Sequence, residues 1–177
     1  MIVVDVGCAR YGGDYSLERL IEEFKPRLVY GFDPSNEIVA TAGDTWSRMS
    51  PEKLHYVTPA GVIVILEQKA AWTFDGEVPF LFDTLGGCIT GRSDQAKVEC
   101  FELARFIKEL PDEDELVLKM DCEGSEYEVL EHLMSKGVDE RISFLWIEWH
   151  DFGVLDPTER RKSIERRLRC QMDEWRW

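Results

Sequence analysis

From Ile2 to Val6 the chain reads Ile-Val-Val-Asp-Val, β-branched at almost every position and without polar alternation. A strand buried on both faces looks like this, and such strands belong to parallel sheets covered by helices. A glycine-bearing turn over 7–13 comes next. Leu17, Leu20, Ile21 and Phe24 then recur at helical spacing until Pro26 stops the helix. Leu28 to Phe32 is a second apolar strand, ending at Asp33-Pro34-Ser35, so residues 2–35 read as one βαβ unit. The pattern then predicts a short helix over 35–42, a third buried strand over 62–66, and a hairpin over 71–82 turning at Asp75-Gly76. Residues 85–93, rich in Gly, Ser and Thr, read as a loop.

The second half repeats the alternation. A strand over 97–101 leads into a helix carrying Leu103, Phe106, Ile107 and Leu110, which Pro111 ends. Leu116 to Met120 is a fourth core strand, and Tyr127, Leu130, Leu133 and Met134 mark a helix closed near Gly137. A fifth strand spans 142–149. Asp156-Pro157-Thr158-Glu159 starts a final helix over 157–176, striped by Ile164, Leu168, Met172 and Trp175. The class expected is α/β, with a doubly wound, mostly parallel, Rossmann-like sheet in one domain over 1–177: a core over 1–150 and the terminal helix.

Composition narrows the function. A formal charge of −14 repels phosphate backbones, which argues against a nucleic-acid binder. Cys8, Cys88, Cys100, Cys122 and Cys170 are odd in number and form no C-x-x-C pair, which argues against a disulfide framework or zinc site and fits a reducing cytoplasm. No apolar stretch is long enough to span a bilayer, and the chain opens on a core strand rather than a leader. The expectation is a cytoplasmic protein without a membrane partner. The terminal helix is locally basic, with Arg160, Arg161, Lys162, Arg166, Arg167 and Arg169 facing an acidic body.

Ligands of such a sheet bind beyond the carboxyl ends of the strands. There this chain places Asp5-Val6-Gly7 after the first strand and Asp33 after the second, an acidic group suited to ribose hydroxyls. Gly7, Ala9 and Gly12 form a degraded dinucleotide fingerprint, whose second glycine, the one that admits a pyrophosphate, is Ala9. A phosphate-free nucleoside cofactor tolerates that change. By the period of two, Val117, Lys119 and Asp121 share one strand face, as do Phe144, Trp146, Glu148 and His150. If those strands are neighbours, Asp121, Glu148 and His150 converge at the cleft, where Asp121 or His150 takes a proton and Lys119 pairs with Glu148. Asp121, Glu148 and His150 would also suit a divalent cation such as magnesium, but no ligand spacing requires one and no metal ligand is assigned. Cys8 and Cys122 read as small apolar fillers.

The run Leu-Val-Leu-Lys-Met-Asp-Cys-Glu-Gly-Ser-Glu over 116–126 resembles FkbM-type methyltransferases, whose strand ends in Lys-x-Asp-x-Glu-Gly-x-Glu; Lys119, Asp121, Glu123, Gly124 and Glu126 match. The resemblance extends to Asp5-Val6-Gly7 with Gly13-Asp14-Tyr15-Ser16, to Gly31-Phe32-Asp33-Pro34-Ser35, to Ala71 before Asp75-Gly76-Glu77, and to Glu148 through His150. It implies a class I fold and S-adenosylmethionine-dependent methyl transfer to an oxygen of a sugar or other small metabolite. Asp5, Gly7, Gly13, Asp33, Pro34 and Ser35 would hold the methionine and ribose parts. Ala71 and Trp72 would lie near the adenine, with Asp121 and Glu123 beside the reactive methyl.

The chain departs from that family in two places. Tyr11 stands where the family's second loop glycine falls, and the terminal strands usual after the fifth are apparently missing. The fifth strand is then an edge, to be covered by the terminal helix or paired with a second copy of the chain. Two other readings stay open: a nicotinamide-dependent oxidoreductase, motivated by Gly7, Ala9, Gly12 and Asp33, and a shortened fold kept as a binding module.

Overall fold

The computed structural model describes residues 1–8, 16–35, 47–50, 53–83, 86–89, 94–151 and 153–175. The strands are β1 (Ile2–Val6), β2 (Leu28–Phe32), β3 (Ser47–Ser50), β4 (Lys53–Val57), β5 (Ile63–Glu67), β6 (Ala70–Trp72), β7 (Gly76–Asp83), β8 (Gly86–Ile89), β9 (Ala96–Glu102), β10 (Leu116–Met120), β11 (Ile142–Ile147) and β12 (Gln171–Glu174). The α-helices are α1 (Ser16–Phe24), α2 (Leu103–Glu109), α3 (Glu126–Ser135) and α4 (Pro157–Arg167).

The main sheet has eight strands in the order β12-β11-β10-β1-β2-β5-β4-β3. From β12 to β5 every pairing is parallel; β4 and β3 add on antiparallel. The unpatterned apolar runs mark the central strands, as two-sided burial requires. All five residues of β1 are buried, with Ile2, Val4 and Val6 in one core cluster and Val3 in another. The second cluster takes Leu20 of α1, and the first takes Ile107 of α2, Leu130 of α3 and Ile164 of α4, so helices cover both faces. The result is a mixed α/β fold with a largely parallel main sheet.

A second sheet, ordered β6-β9-β7-β8, corrects two expectations. The hairpin over 71–82 does not form, because β9 lies between β6 and β7, parallel to one and antiparallel to the other. Asp75 does not close a hairpin turn. Its carboxylate accepts from the Glu102 N–H at 3.1 Å and from Arg105 at 2.6 and 3.2 Å, tying that turn to the start of α2. Part of the expected loop over 85–93 is strand β8, paired with β7. Residues 36–42 of the expected short helix lie outside the described residues.

The largest correction concerns the end of the chain. The helix expected over 157–176 stops at Arg167, where Leu168 turns to extended backbone. Residues 171–174 then form β12, parallel to β11. The spacing of Ile164, Leu168, Met172 and Trp175 fits a helical stripe, but only Ile164 is buried on the helix, and Trp175 buries itself at the end of β12. Its ring meets that of Trp146 edge-on at 4.7 Å, and its backbone N–H donates to the Ile147 carbonyl at 2.7 Å. The fifth strand is therefore not the open edge on which pairing with a second copy was to rest.

Candidate active site

Because β1, β2, β5, β10 and β11 run parallel, their carboxyl ends share one edge of the sheet. The chain leaves β1 toward β2 on one side, and β10 lies on the other, so strand order reverses between β1 and β10. Ligands of open α/β sheets bind at such a point. Asp33 follows β2, Asp121 follows β10 and Glu148 follows β11. Backbone bonds continue past the strands: Asp121 N–H donates to Val6 at 3.0 Å and Glu148 N–H to Met120 at 2.9 Å.

Gly7 serves this edge in an unexpected way. Its φ is +78°, and a Cβ there would lie 1.6 Å from the Asp121 carbonyl oxygen. The close approach that demands glycine is therefore made by the chain's own β10 end.

Beneath that contact sits a buried charge cluster. The Lys119 ammonium is fully buried, 3.2 Å from Asp5 Oδ1 and 3.3 Å from Asp121 Oδ2, and it donates to the Gly7 carbonyl at 2.8 Å. Burial alone would lower its pKa, but the charges of Asp5 and Asp121 outweigh that and hold it above its ordinary value. Asp5 also accepts from the Ser16 hydroxyl at 2.6 Å. Burial still pushes the Asp5 carboxyl up, against the pull of Lys119 and Ser16. Lys119 thus turns toward β1, not toward Glu148 as the strand-face reading had it. Neither Asp5 nor Lys119 reaches solvent.

Above the cluster, His150 is ringed by carboxylates. Its Nδ1 lies 3.0 Å from Glu126 Oε1. Its Nε2 lies 3.7 Å from Glu123 Oε2, 3.8 Å from Glu148 Oε1 and 3.9 Å from Asp121 Oδ1. Burial would lower the imidazole pKa; the Glu126 bond and the charges of Glu126, Glu123 and Asp121 outweigh it, pushing the pKa up to about 9. At neutral pH His150 therefore carries its proton, which disfavours it as a starting base. Burial raises Glu123, opposed by His150. Glu123 sits at a φ of 54°, which places its carboxylate in this group.

Glu126 was given no site role from the sequence; its last place in the 119–126 motif was the available signal. Fully buried, it accepts from the Cys122 N–H at 2.8 Å and the Gly124 N–H at 2.9 Å while it holds His150. One carboxylate thus closes the loop after β10 and joins it to the segment after β11. That segment is pinned again where the Tyr127 hydroxyl donates to Asp151 at 2.6 Å. Burial pushes the thiols of Cys8 and Cys122 well up, as befits fillers rather than nucleophiles.

Beyond β2, Asp33 Oδ1 accepts from the Ser35 N–H at 2.7 Å, and the Gln68 amide donates to the Pro34 carbonyl at 3.3 Å. Ser35 is buried, and its Oγ has no hydrogen-bond partner among the described residues. Ala71 is buried in the core cluster that holds Phe32 and Phe101, and Trp72 packs against it. Gly13, with the whole loop over 9–15, lies outside the described residues.

The lip around Lys119, Asp121 and His150 coincides with the stretch that has recognisable relatives. The family model of the methyltransferase FkbM domain matches residues 76–168, more than half of the chain. The chain belongs to the FkbM methyltransferase family. The match takes in Lys119, Asp121, Glu123, Glu126, Glu148 and His150, while Asp5, Gly7, Asp33 and Ser35 lie before it. No curated protein and no solved structure matches the chain. Among the described residues no helix is long and apolar enough to cross a membrane.

Proposed function

We propose that this FkbM-family protein is an S-adenosylmethionine-dependent methyltransferase acting on a hydroxyl of a small metabolite or sugar. One observation carries the reading. In a chain of this family, polar groups at the ends of β2 and β10 flank the point where strand order reverses. The donor set fits the cofactor. Asp33 suits the ribose hydroxyls, the hydroxyl of buried Ser35 has no hydrogen-bond partner among the described residues and suits a polar group of the ligand, and the carboxylate of Asp121 suits a sulfonium. Gly7, Gly13, Pro34, Ala71, Trp72 and Glu123 complete the residues assigned to it.

Bound there, S-adenosylmethionine supplies a methyl group already activated by positive sulfur, so positioning provides most of the rate. Asp5 and Lys119 position from below: they lock the ends of β1 and β10 together and orient Asp121 through its Oδ2. Asp121 directs its other oxygen to the lip, where it holds the acceptor hydroxyl and takes its proton. His150, cationic and fixed by Glu126, offsets the charge of the carboxylates around it.

Asp121→Asn tests the assignment. Turnover against a panel of hydroxylated acceptors falls by about 10²- to 10⁴-fold, the usual worth of a positioned acid or base. Affinity for S-adenosylhomocysteine stays within a few-fold. Unchanged turnover would remove Asp121 from the reaction.

A further inference from the structure

We infer that Asp121, Glu123 and His150 form a binding site for a divalent transition-metal ion at the lip of the cleft. One oxygen from each carboxylate and one nitrogen from the imidazole lie within 4.8 Å of one another. Each contact from His150 Nε2, at 3.7 Å to Glu123 and 3.9 Å to Asp121, is too long for a hydrogen bond. Those spacings come within a few tenths of an ångström of what a shared cation requires. Two ligand atoms at about 2.1 Å from one ion, at roughly tetrahedral to trigonal angles, stand about 3.4–3.7 Å apart.

Groups outside the trio hold two of its members by their far atoms. His150 is gripped at Nδ1 by buried Glu126, which turns Nε2 toward Asp121 and Glu123. Asp121 is gripped at Oδ2 by buried Lys119, which leaves Oδ1. A metal-ligating histidine almost always has such a carboxylate or carbonyl behind it. Glu148 Oε1 lies 3.8 Å from Nε2 on the same lip. Binding of the ion displaces the proton that His150 carries at neutral pH, and puts two positive charges in place of one among the carboxylates of Asp121, Glu123 and Glu148. An imidazole with two carboxylates favours manganese, iron or zinc over magnesium or calcium. Resting on the methyltransferase reading, the ion would bind the acceptor hydroxyl in place of Asp121 Oδ1 and lower its pKa, so that the proton leaves to water.

The test is calorimetric titration of the chelator-treated full chain with Mn²⁺, Zn²⁺ and Mg²⁺, followed by titration with S-adenosylhomocysteine. One saturable site for Mn²⁺ or Zn²⁺, tighter than for Mg²⁺, is expected. Glu123→Gln and His150→Ala each abolish it while thermal unfolding shows the chain still folded. Glu126→Gln keeps all three ligands and weakens binding by about 10- to 100-fold, as loss of an outer-shell partner does. Absence of saturable Mn²⁺ and Zn²⁺ binding, or wild-type binding by the Glu123→Gln and His150→Ala variants, overturns the inference. Binding of S-adenosylhomocysteine with no saturable metal binding overturns the metal site alone and leaves the methyltransferase reading standing.

Discussion

Replacing Lys119 by Met removes a cation that three oxygens share: Asp5 Oδ1, Asp121 Oδ2 and the Gly7 carbonyl. Methionine approximates the stem of lysine, so little packing is lost. The cost is electrostatic, because Asp5 stays fully buried with, among the described residues, the Ser16 hydroxyl to hold its charge. Breaking a buried ion pair from one side costs about 3–5 kcal/mol, a large share of the ~5–15 kcal/mol that holds a domain together. The loss also depends on pH. Burial already holds Asp5 above its ordinary pKa, and removing Lys119, the largest opposing influence, raises it further. An acid raised in the folded state stabilises the fold below its unfolded pKa and loses that contribution as pH rises through the folded pKa. The deficit of Lys119→Met relative to wild type is therefore largest near pH 8 and shrinks toward pH 4. Urea unfolding followed by tryptophan fluorescence measures it, since Trp146 and Trp175 are buried nearby. Adding Asp5→Asn removes the stranded charge and restores part of the stability. A deficit below about 1 kcal/mol at pH 8, or one that neither pH nor Asp5→Asn changes, would refute the reasoning.

Two further substitutions probe the frame around the site. Gly7→Ala drives a Cβ into the Asp121 carbonyl at a φ of +78°, so it costs about 3 kcal/mol or more by thermal unfolding and weakens S-adenosylhomocysteine binding. Arg160→Ala removes a fork to Glu131 at 3.0 and 2.7 Å, a bond to Glu128 at 2.8 Å and a cation–π contact with Tyr127. It lowers stability by about 1–2 kcal/mol, and by less in 1 M salt, with cofactor binding intact.

The central sheet was legible because two-sided burial leaves a plain mark. Ile2–Val6, Leu28–Phe32 and Leu116–Met120 are the strands their apolar runs predict. Strands away from the centre carry a weaker mark. In β4 only Leu54 is buried, between Lys53 and His55, so its pattern resembles a loop. At the chain end a spacing of four fits helix and strand-plus-turn alike, and a tertiary contact, Trp175 against Trp146, decides for β12. At the site, the period of two on adjacent parallel strands brings Asp121, Glu148 and His150 to one lip. It says nothing of what lies beneath a side chain. The turn of Lys119 toward Asp5 depends on β1 lying beside β10, a pairing between segments more than a hundred residues apart. The grip of Glu126 on His150 likewise arises only when α3 packs beside the end of β11.

The most direct measurement is calorimetric titration of the purified chain with S-adenosylmethionine, S-adenosylhomocysteine and NAD. Micromolar binding of the first two, with none of NAD, is the result the account predicts. Failure to bind either methyl-donor form, or binding of NAD alone, would contradict it.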